Sequence, residues 1–267
     1  MNAALVNPVL LLDRLHAALV LAALAFYGLA GLVLLLRRRR IGWACFALGG
    51  LAALTAVATR GLWTGHLPMQ NLYEVFLLLA MLMFPLSALA KRLLGVGGEA
   101  LDALLAAALL GPVAFVFSRR PQPLPPALQS WLFGPHVLAY MLAYVLTAKA
   151  AVQAGRVWLA GPADRPAVER GCARLIGLGF PLMTLGLVLG AVWGRRAWGD
   201  WWNWDPKELW SLATWLTVVA YLHLRTTLRR PRPRLQAAVA ILAFLLVLIT
   251  LLWANLGRIF QGLHSYA

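Results

Sequence analysis

Apolar residues run along this chain in blocks too long and too continuous for an amphipathic stripe. Eight blocks can be drawn, at Leu15–Leu36, Ile41–Ala58, Leu72–Leu89, Leu101–Phe117, Val137–Val157, Cys172–Trp193, Pro206–Leu224 and Leu235–Leu256. Short segments rich in arginine, proline and glycine separate them. A bilayer core asks for roughly 20 predominantly apolar residues per crossing helix. Inside that core a segment must satisfy its own backbone N–H and C=O groups, which a helix does without partners. The pattern predicts an all-α polytopic integral membrane protein with about eight transmembrane helices. No repeat is visible and no linker is long enough to divide the chain, so residues 1–267 are expected to form a single transmembrane bundle. The first block is long enough to span and is followed by Arg37–Arg40, which marks a retained first helix rather than a cleaved signal.

Composition agrees: the chain is 62% hydrophobic and 12% charged, with a mean hydropathy of +0.76. A soluble domain carries about twice that share of charge. The net charge of +15 would suit nucleic acid, but its placement argues against that. The cations sit in the short segments between blocks, as the positive-inside rule describes. If the N-terminus is outside, sixteen of the 24 Lys and Arg residues fall on the inner side. They include Lys91, Arg92, Lys149, Arg156, Arg170, Arg174 and Arg225. The other eight, Arg14, Arg60 and Arg258 among them, fall outside. This bias puts both termini outside. Cys45 and Cys172 lie in or beside apolar blocks with no C-x-x-C pair, so no thiol redox motif or disulfide framework is expected.

The segment between blocks six and seven stands apart. Residues 198–208 read WGDWWNWDPKE, and residues 194–208 form a tryptophan-rich loop that this orientation places on the outer face. Asp205 reads as a helix N-cap, with Pro206 at the first helical position and Glu208 three residues after the cap. Asn71 and Glu74 repeat the signature at the start of the third block. Seven of the twelve tryptophans lie between Trp193 and Trp215. An interfacial aromatic belt accounts for Trp193, Trp210 and in part Trp198. A belt spreads over several helices, whereas Trp198, Trp201, Trp202 and Trp204 share one loop. They offer a flat apolar platform for a hydrophobic ligand, a lipid or a partner chain.

The histidines narrow that choice. His66, His136 and His264 all fall at the outer ends of blocks. Histidines converging on an aromatic platform suit axial ligation of a planar metal macrocycle. His16, at the start of the first block, reads as interfacial. His223 lies roughly 26 Å along its helix from Pro206 at 1.5 Å per residue. It is the one histidine near the inner surface, and an ionisable residue within a span is a functional candidate. A bis-histidine centre there needs its second ligand from another protein.

These residues carry a family resemblance. WGDWWNWDPKE resembles the WWD signature of the haem-handling cytochrome c assembly proteins, and its D-P-K-E ending resembles the CcsA/ResC branch of the two-protein system II pathway. The CcmC branch is similar only as far as the aspartate. GHLPMQNLYE, WLTVVAYLHLR and GLHSYA resemble further segments of the family, so the likeness runs from about residue 60 to the C-terminus. It implies cytochrome c biogenesis at a bacterial inner membrane, with the loop facing the periplasm; a thylakoid membrane is the other setting. Haem b would be moved outward and positioned for thioether attachment to apocytochrome c. The chain would be a holocytochrome c synthase component, active only with a CcsB/ResB partner and with no side-chain nucleophile of its own. The outer haem would rest on Trp198, Trp201, Trp202 and Trp204, with Asp205 orienting the loop or the haem. His136 and His264 would be the axial ligands there, and His223 would bind haem at the inner site opposite a partner histidine. No ligand role is carried to His66. Arg195, Arg196 and Arg258 are candidates for pairing with haem propionates. Two other readings remain: a haem-binding or haem-exporting relative without ligation activity, and a carrier of another amphipathic lipid or a structural membrane subunit.

Overall fold

The computed structural model describes residues 8–227 and 232–253. His264, Arg258 and the end of the eighth block lie outside the described residues. Within them every expected block is a helix: α1 (Pro8–Leu35), α2 (Arg39–Thr64), α3 (Leu72–Leu94), α4 (Glu99–Phe115), α5 (Phe133–Leu159), α6 (Arg165–Trp198), α7 (Pro206–Thr227) and α8 (Pro233–Leu248). A turn of π-helix over Ile249–Trp253 prolongs α8.

Six of these, α1, α2, α3, α5, α6 and α8, are long and apolar enough to cross a membrane. α4 has 17 residues, and α7 holds Lys207, Glu208, His223 and Arg225 among several hydroxyl side chains. The chain is a multi-pass membrane protein. Its outward leucines fit that solvent: Leu21, Leu29 and Leu32 on α1 and Leu48, Leu51 and Leu54 on α2 are all exposed. In water such rows are a liability, whereas lipid tails are their natural contact.

Most helices overrun the apolar blocks because the stop signals lie further out. α2 continues to Thr64 and ends at Gly65, whose φ of 73° is the left-handed cap that glycine adopts without strain. α6 runs five residues past Trp193, to Trp198, and stops at Gly199 with φ 92°. The linking segment is therefore residues 199–205, shorter than the expected 194–208 loop, and Trp198 belongs to the helix.

The chain forms two compact units, Met1–Pro85 with Glu99–Leu124, and Leu86–Gly98 with Pro125–Ala267. The first boundary falls inside α3 at Pro85, a residue with no N–H for the helix ladder. In the first unit α1 packs on α2 and on α4. The approach of α1 to α2 depends on glycine, since a Cβ at Gly49 would stand 2.5 Å from the Tyr27 ring. Tyr27 then donates its hydroxyl to Ala80 O at 2.9 Å. In the second unit α5 packs on α6 and α8, and α7 packs on α6 and α8. α6 also meets α8.

Polar residues of the first unit depart from their expected places. Arg60 counted as a loop cation, yet it lies in α2, fully buried, and pairs with the equally buried Glu74 at 2.9 Å. Its Nη1 also donates to Arg119 O at 2.6 Å, and its guanidinium sits over the rings of Trp63 and Tyr73. The cap at Asn71 forms, with Glu74 N donating to Asn71 Oδ1 at 3.1 Å. The Glu74 carboxylate reaches one residue further back than a capping box requires and accepts from Gln70 N at 2.9 Å. His16 is buried rather than interfacial: Nδ1 lies 3.0 Å from Ala56 O and Nε2 2.6 Å from the Tyr73 hydroxyl. Low dielectric makes partnered polar groups strong and orphaned ones expensive, which draws these side chains together.

A buried pair costs most when one charge loses its partner. Glu74→Met should lower unfolding free energy by about 3–5 kcal/mol, and Arg60→Met/Glu74→Met should recover most of that loss. Denaturation of the detergent-solubilised chain measures both. A double variant no more stable than Glu74→Met would show that the pair's charges are not coupled.

Candidate functional site

The described candidate ligands and Trp198, Trp201, Trp202 and Trp204 all belong to the second unit, and packing of α5 on α6 orders them. Along α6, Gly179, Gly186 and Gly190 face α5. A Cβ at Gly186 would lie 2.8 Å from the Tyr140 ring, and one at Gly190 would lie 2.6 Å from His136 Cε1. Small residues at this spacing let membrane helices approach closely. The rings of His136 and Tyr140 therefore lie directly on the α6 backbone.

That contact fixes the imidazole. His136 Nδ1 lies 2.8 Å from Gly186 O. A carbonyl only accepts, so Nδ1 carries the proton, and in the neutral ring Nε2 holds the lone pair. A ring nitrogen tied to a backbone carbonyl is the usual way a metal-binding histidine is oriented. The Trp193 indole stacks on His136 at 5.7 Å and 26°. Tyr140 meets it edge-on at 5.3 Å.

Trp193 differs from its expected role. It is 1% exposed, and its indole N–H donates to Ala127 O at 2.9 Å. A belt residue faces the headgroups, whereas Trp193 is the wall behind His136. It also meets Trp198 at 4.7 Å, nearly edge-on. Tyr140, His136, Trp193 and Trp198 form one continuous row of rings. The α6 sequence carried the signal for this row in Gly186, Gly190 and Gly194, spaced by four and followed at Gly186+7 by Trp193.

Beyond Trp198 the linking segment presents the remaining tryptophans. Trp201 and Trp204 are 58% and 68% exposed, an unusual state for the largest apolar side chain. Trp202 stands at right angles to Trp204, 6.1 Å between centroids. Trp204 has φ 56°, a left-handed conformation that bulky residues rarely adopt outside functional sites.

The turn is held by the start of α7. Lys207 N donates to Asp205 Oδ1 at 2.9 Å, and Glu208 Oε2 accepts from Asp205 N at 3.1 Å and from Asn203 N at 2.8 Å. This is the expected capping box extended by one further amide. Asp205 is buried, and its carboxylate serves the helix end. The strained Trp204 is thus bracketed by two amides bound to one carboxylate.

His223 lies in the last two turns of an unbroken α7 and is exposed. Two residues on, Arg225 pairs with Glu169 at 2.9 Å. His136 contacts α6 near Gly186 and Gly190, while His223 neighbours the start of the same helix. At 1.5 Å per residue those points are roughly 28 Å apart. Of the candidate cations, Arg195 and Arg196 are exposed on the last turn of α6, with Arg196 over the Trp131 ring at 5.6 Å. His66 belongs to the first unit, where its Nδ1 lies 3.0 Å from Leu67 O.

The comparisons with known proteins bear on this arrangement. A family model described as cytochrome C assembly protein matches residues 69–261. The cytochrome c biogenesis protein CcsA of Synechococcus elongatus is 32% identical, over 85% of this chain and 87% of that protein. The protein of the same name from Chlamydomonas reinhardtii is 31% identical over 98% of this chain and 78% of its own length. That of Gloeobacter violaceus reaches 55% identity over 35% of this chain and 27% of its own length. Among solved structures, a cytochrome c heme lyase CcmF superposes with a TM-score of 0.69 at 22% identity, covering 94% of this chain. The chain spans 48% of that structure, and the likeness extends to the fold alone. The chain belongs to the cytochrome c assembly protein family, with the CcsA cytochrome c biogenesis proteins, and its role lies in cytochrome c maturation.

Proposed function

We propose that this chain, with a CcsB/ResB-like membrane partner, moves haem b across the membrane and presents it for covalent attachment to apocytochrome c. The observation that carries the reading is the His136 imidazole, fixed through Nδ1 on Gly186 O and backed by Trp193. A free interfacial histidine needs no such scaffold, whereas an axial ligand does. Trp198, Trp201, Trp202 and Trp204 supply apolar contact for the macrocycle, Asp205 and Glu208 hold their turn, and His264 is the opposing ligand. Arg195, Arg196 and Arg258 are the cations available to the propionates.

The reaction itself adds each thiol of a C-x-x-C-H segment across a haem vinyl group. A C–S bond forms at the carbon next to the ring, and the thiol proton ends on the terminal carbon. Both thiols belong to the substrate, so this chain works by positioning, which is worth several kcal/mol when the reacting atoms are held in register.

We further assign eight crossings, with α4 and α7 spanning beside the six apolar helices, both termini outside and the tryptophan segment facing the periplasm of a bacterial plasma membrane. The asymmetry of Lys and Arg supports this orientation. His223 then lies near the inner surface, and its exposure suits a haem shared with a histidine of the partner. The distance along α6 supports two haem positions rather than one.

Absorption spectra of the chain purified with and without its partner test the reading. Wild type should show the sharp Soret and α bands of bis-histidine haem. His136→Ala/His264→Ala should lower haem content, and His223→Ala should lower it only when the partner is present. A preparation without haem after haem-replete expression would sink the proposal. Thioether formation on apocytochrome c by the complex separates ligation from haem export alone.

Gly190→Ala adds a single methyl group where His136 now lies. Attachment activity should fall at least about tenfold, in line with a displacement of order 1 Å at a positioning group. Gly177→Ala, in a glycine with open space around it, should leave activity unchanged. Equal activity in both variants would show that His136 needs no close seat on α6.

A further inference from the structure

The inner-end cations of the second unit include a group that the haem reading does not use. A cavity of about 330 Å³ opens between the end of α3, the end of α5 and the start of α6. Arg156, Arg170 and Arg174 all line it, and no carboxylate does among the described residues. Glu169, next to Arg170 in sequence, is occupied by Arg225 on α7.

The cavity is built rather than incidental. Gln153 is almost fully buried; its Nε2 donates to Gly97 O at 2.7 Å and its Oε1 accepts from Arg156 Nη1 at 2.8 Å. That bridge turns the Arg156 guanidinium toward the cavity wall. Arg174 Nη1 donates to Leu94 O at 2.8 Å, and the buried Lys149 donates to Gly97 O at 3.3 Å. Gly98, with φ 99°, is where the chain leaves this wall, and a Cβ there would stand 2.8 Å from Gln153 Nε2. Three guanidinium groups gathered without an acid repel one another, and an arrangement of that kind is relieved by a bound anion.

Depth identifies the kind of anion. Trp158, two residues beyond Arg156, is 50% exposed, and Arg234 lies over its ring at 5.7 Å. An exposed Trp at a helix end marks the headgroup zone. A basic pocket between helices at that level suits a phospholipid headgroup. A haem macrocycle would need a flat apolar slot, while this cavity carries three arginines and a glutamine beside Leu94, Val96 and Val168.

We propose that Arg156, Arg170 and Arg174 form a binding site for the phosphate of an anionic phospholipid. Its place in the inner leaflet rests on the orientation given above; the site itself does not. Bound lipid would neutralise the arginines and clamp the 94–98 segment against α5 and α6.

The test titrates the full-length, detergent-solubilised chain with dioleoylphosphatidylglycerol, dioleoylphosphatidylcholine or inorganic phosphate, and reads the shift in thermal unfolding midpoint. Phosphatidylglycerol should raise the midpoint of wild type clearly more than phosphatidylcholine. That difference should vanish in Arg156→Gln/Arg170→Gln and persist in Arg38→Gln/Arg39→Gln, which removes equal charge elsewhere. The exposed Arg170→Gln alone should halve the difference and serves if the double variant does not fold. An unchanged headgroup preference in these variants overturns the site. Protection by inorganic phosphate equal to that by phosphatidylglycerol overturns the lipid assignment. The readout requires no haem, so loss of the haem reading would leave this result standing.

Discussion

The contact of α5 with the glycines of α6 is what the second unit of this protein depends on. Tyr140 and His136 occupy the space that side chains at Gly186 and Gly190 would fill. Their closeness lets a backbone carbonyl of one helix set the tautomer of a histidine on the other. Trp193, one further turn along α6, then stacks on the imidazole. Association in lipid gains little from burying apolar surface, so close van der Waals packing and directed hydrogen bonds must hold helices together. The same few residues supply the adhesion and the orientation of His136.

The tryptophan segment shows how a loop is made precise without a core. α6 ends on a left-handed glycine and α7 begins on an aspartate cap. Only seven residues join them, and Glu208 binds two of their amides. This holds Trp204 in a backbone region that costs of order 1–3 kcal/mol, and it keeps Trp201 and Trp204 turned outward. Exposed aromatic area of this kind is stable only where it meets lipid, a ligand or a partner.

The polar interior of the first unit follows the opposite economy. Arg60, Glu74, His16 and Tyr73 are all buried, and each is tied to another or to a backbone carbonyl. Such groups contribute little net stability once desolvation is counted. Their geometry instead joins α2, the start of α3 and the 119–123 segment, since Gln70 Nε2 also donates to Pro123 O at 3.2 Å.

Apolar block length alone marked where the eight α-helices of the described residues lie, six of them long and apolar enough to cross a membrane, because a segment in hydrocarbon must close its own hydrogen bonds. The capping box at Asp205 and Glu208 was equally legible, being a matter of residues three apart. The tryptophans, His136 and His223 could be singled out by type and position, and the family by its motif. Helix ends were misjudged where polar residues continued a helix, as at Arg60 and at Trp198, since hydropathy marks where lipid ends and not where the backbone ladder ends. Only the tertiary structure decided that Trp193 backs a histidine, that Arg60 and His16 are buried, and that Arg156, Arg170 and Arg174 share a cavity. Those outcomes depend on which helices meet and how closely, and that is set by contacts between residues tens of positions apart, which no local pattern encodes.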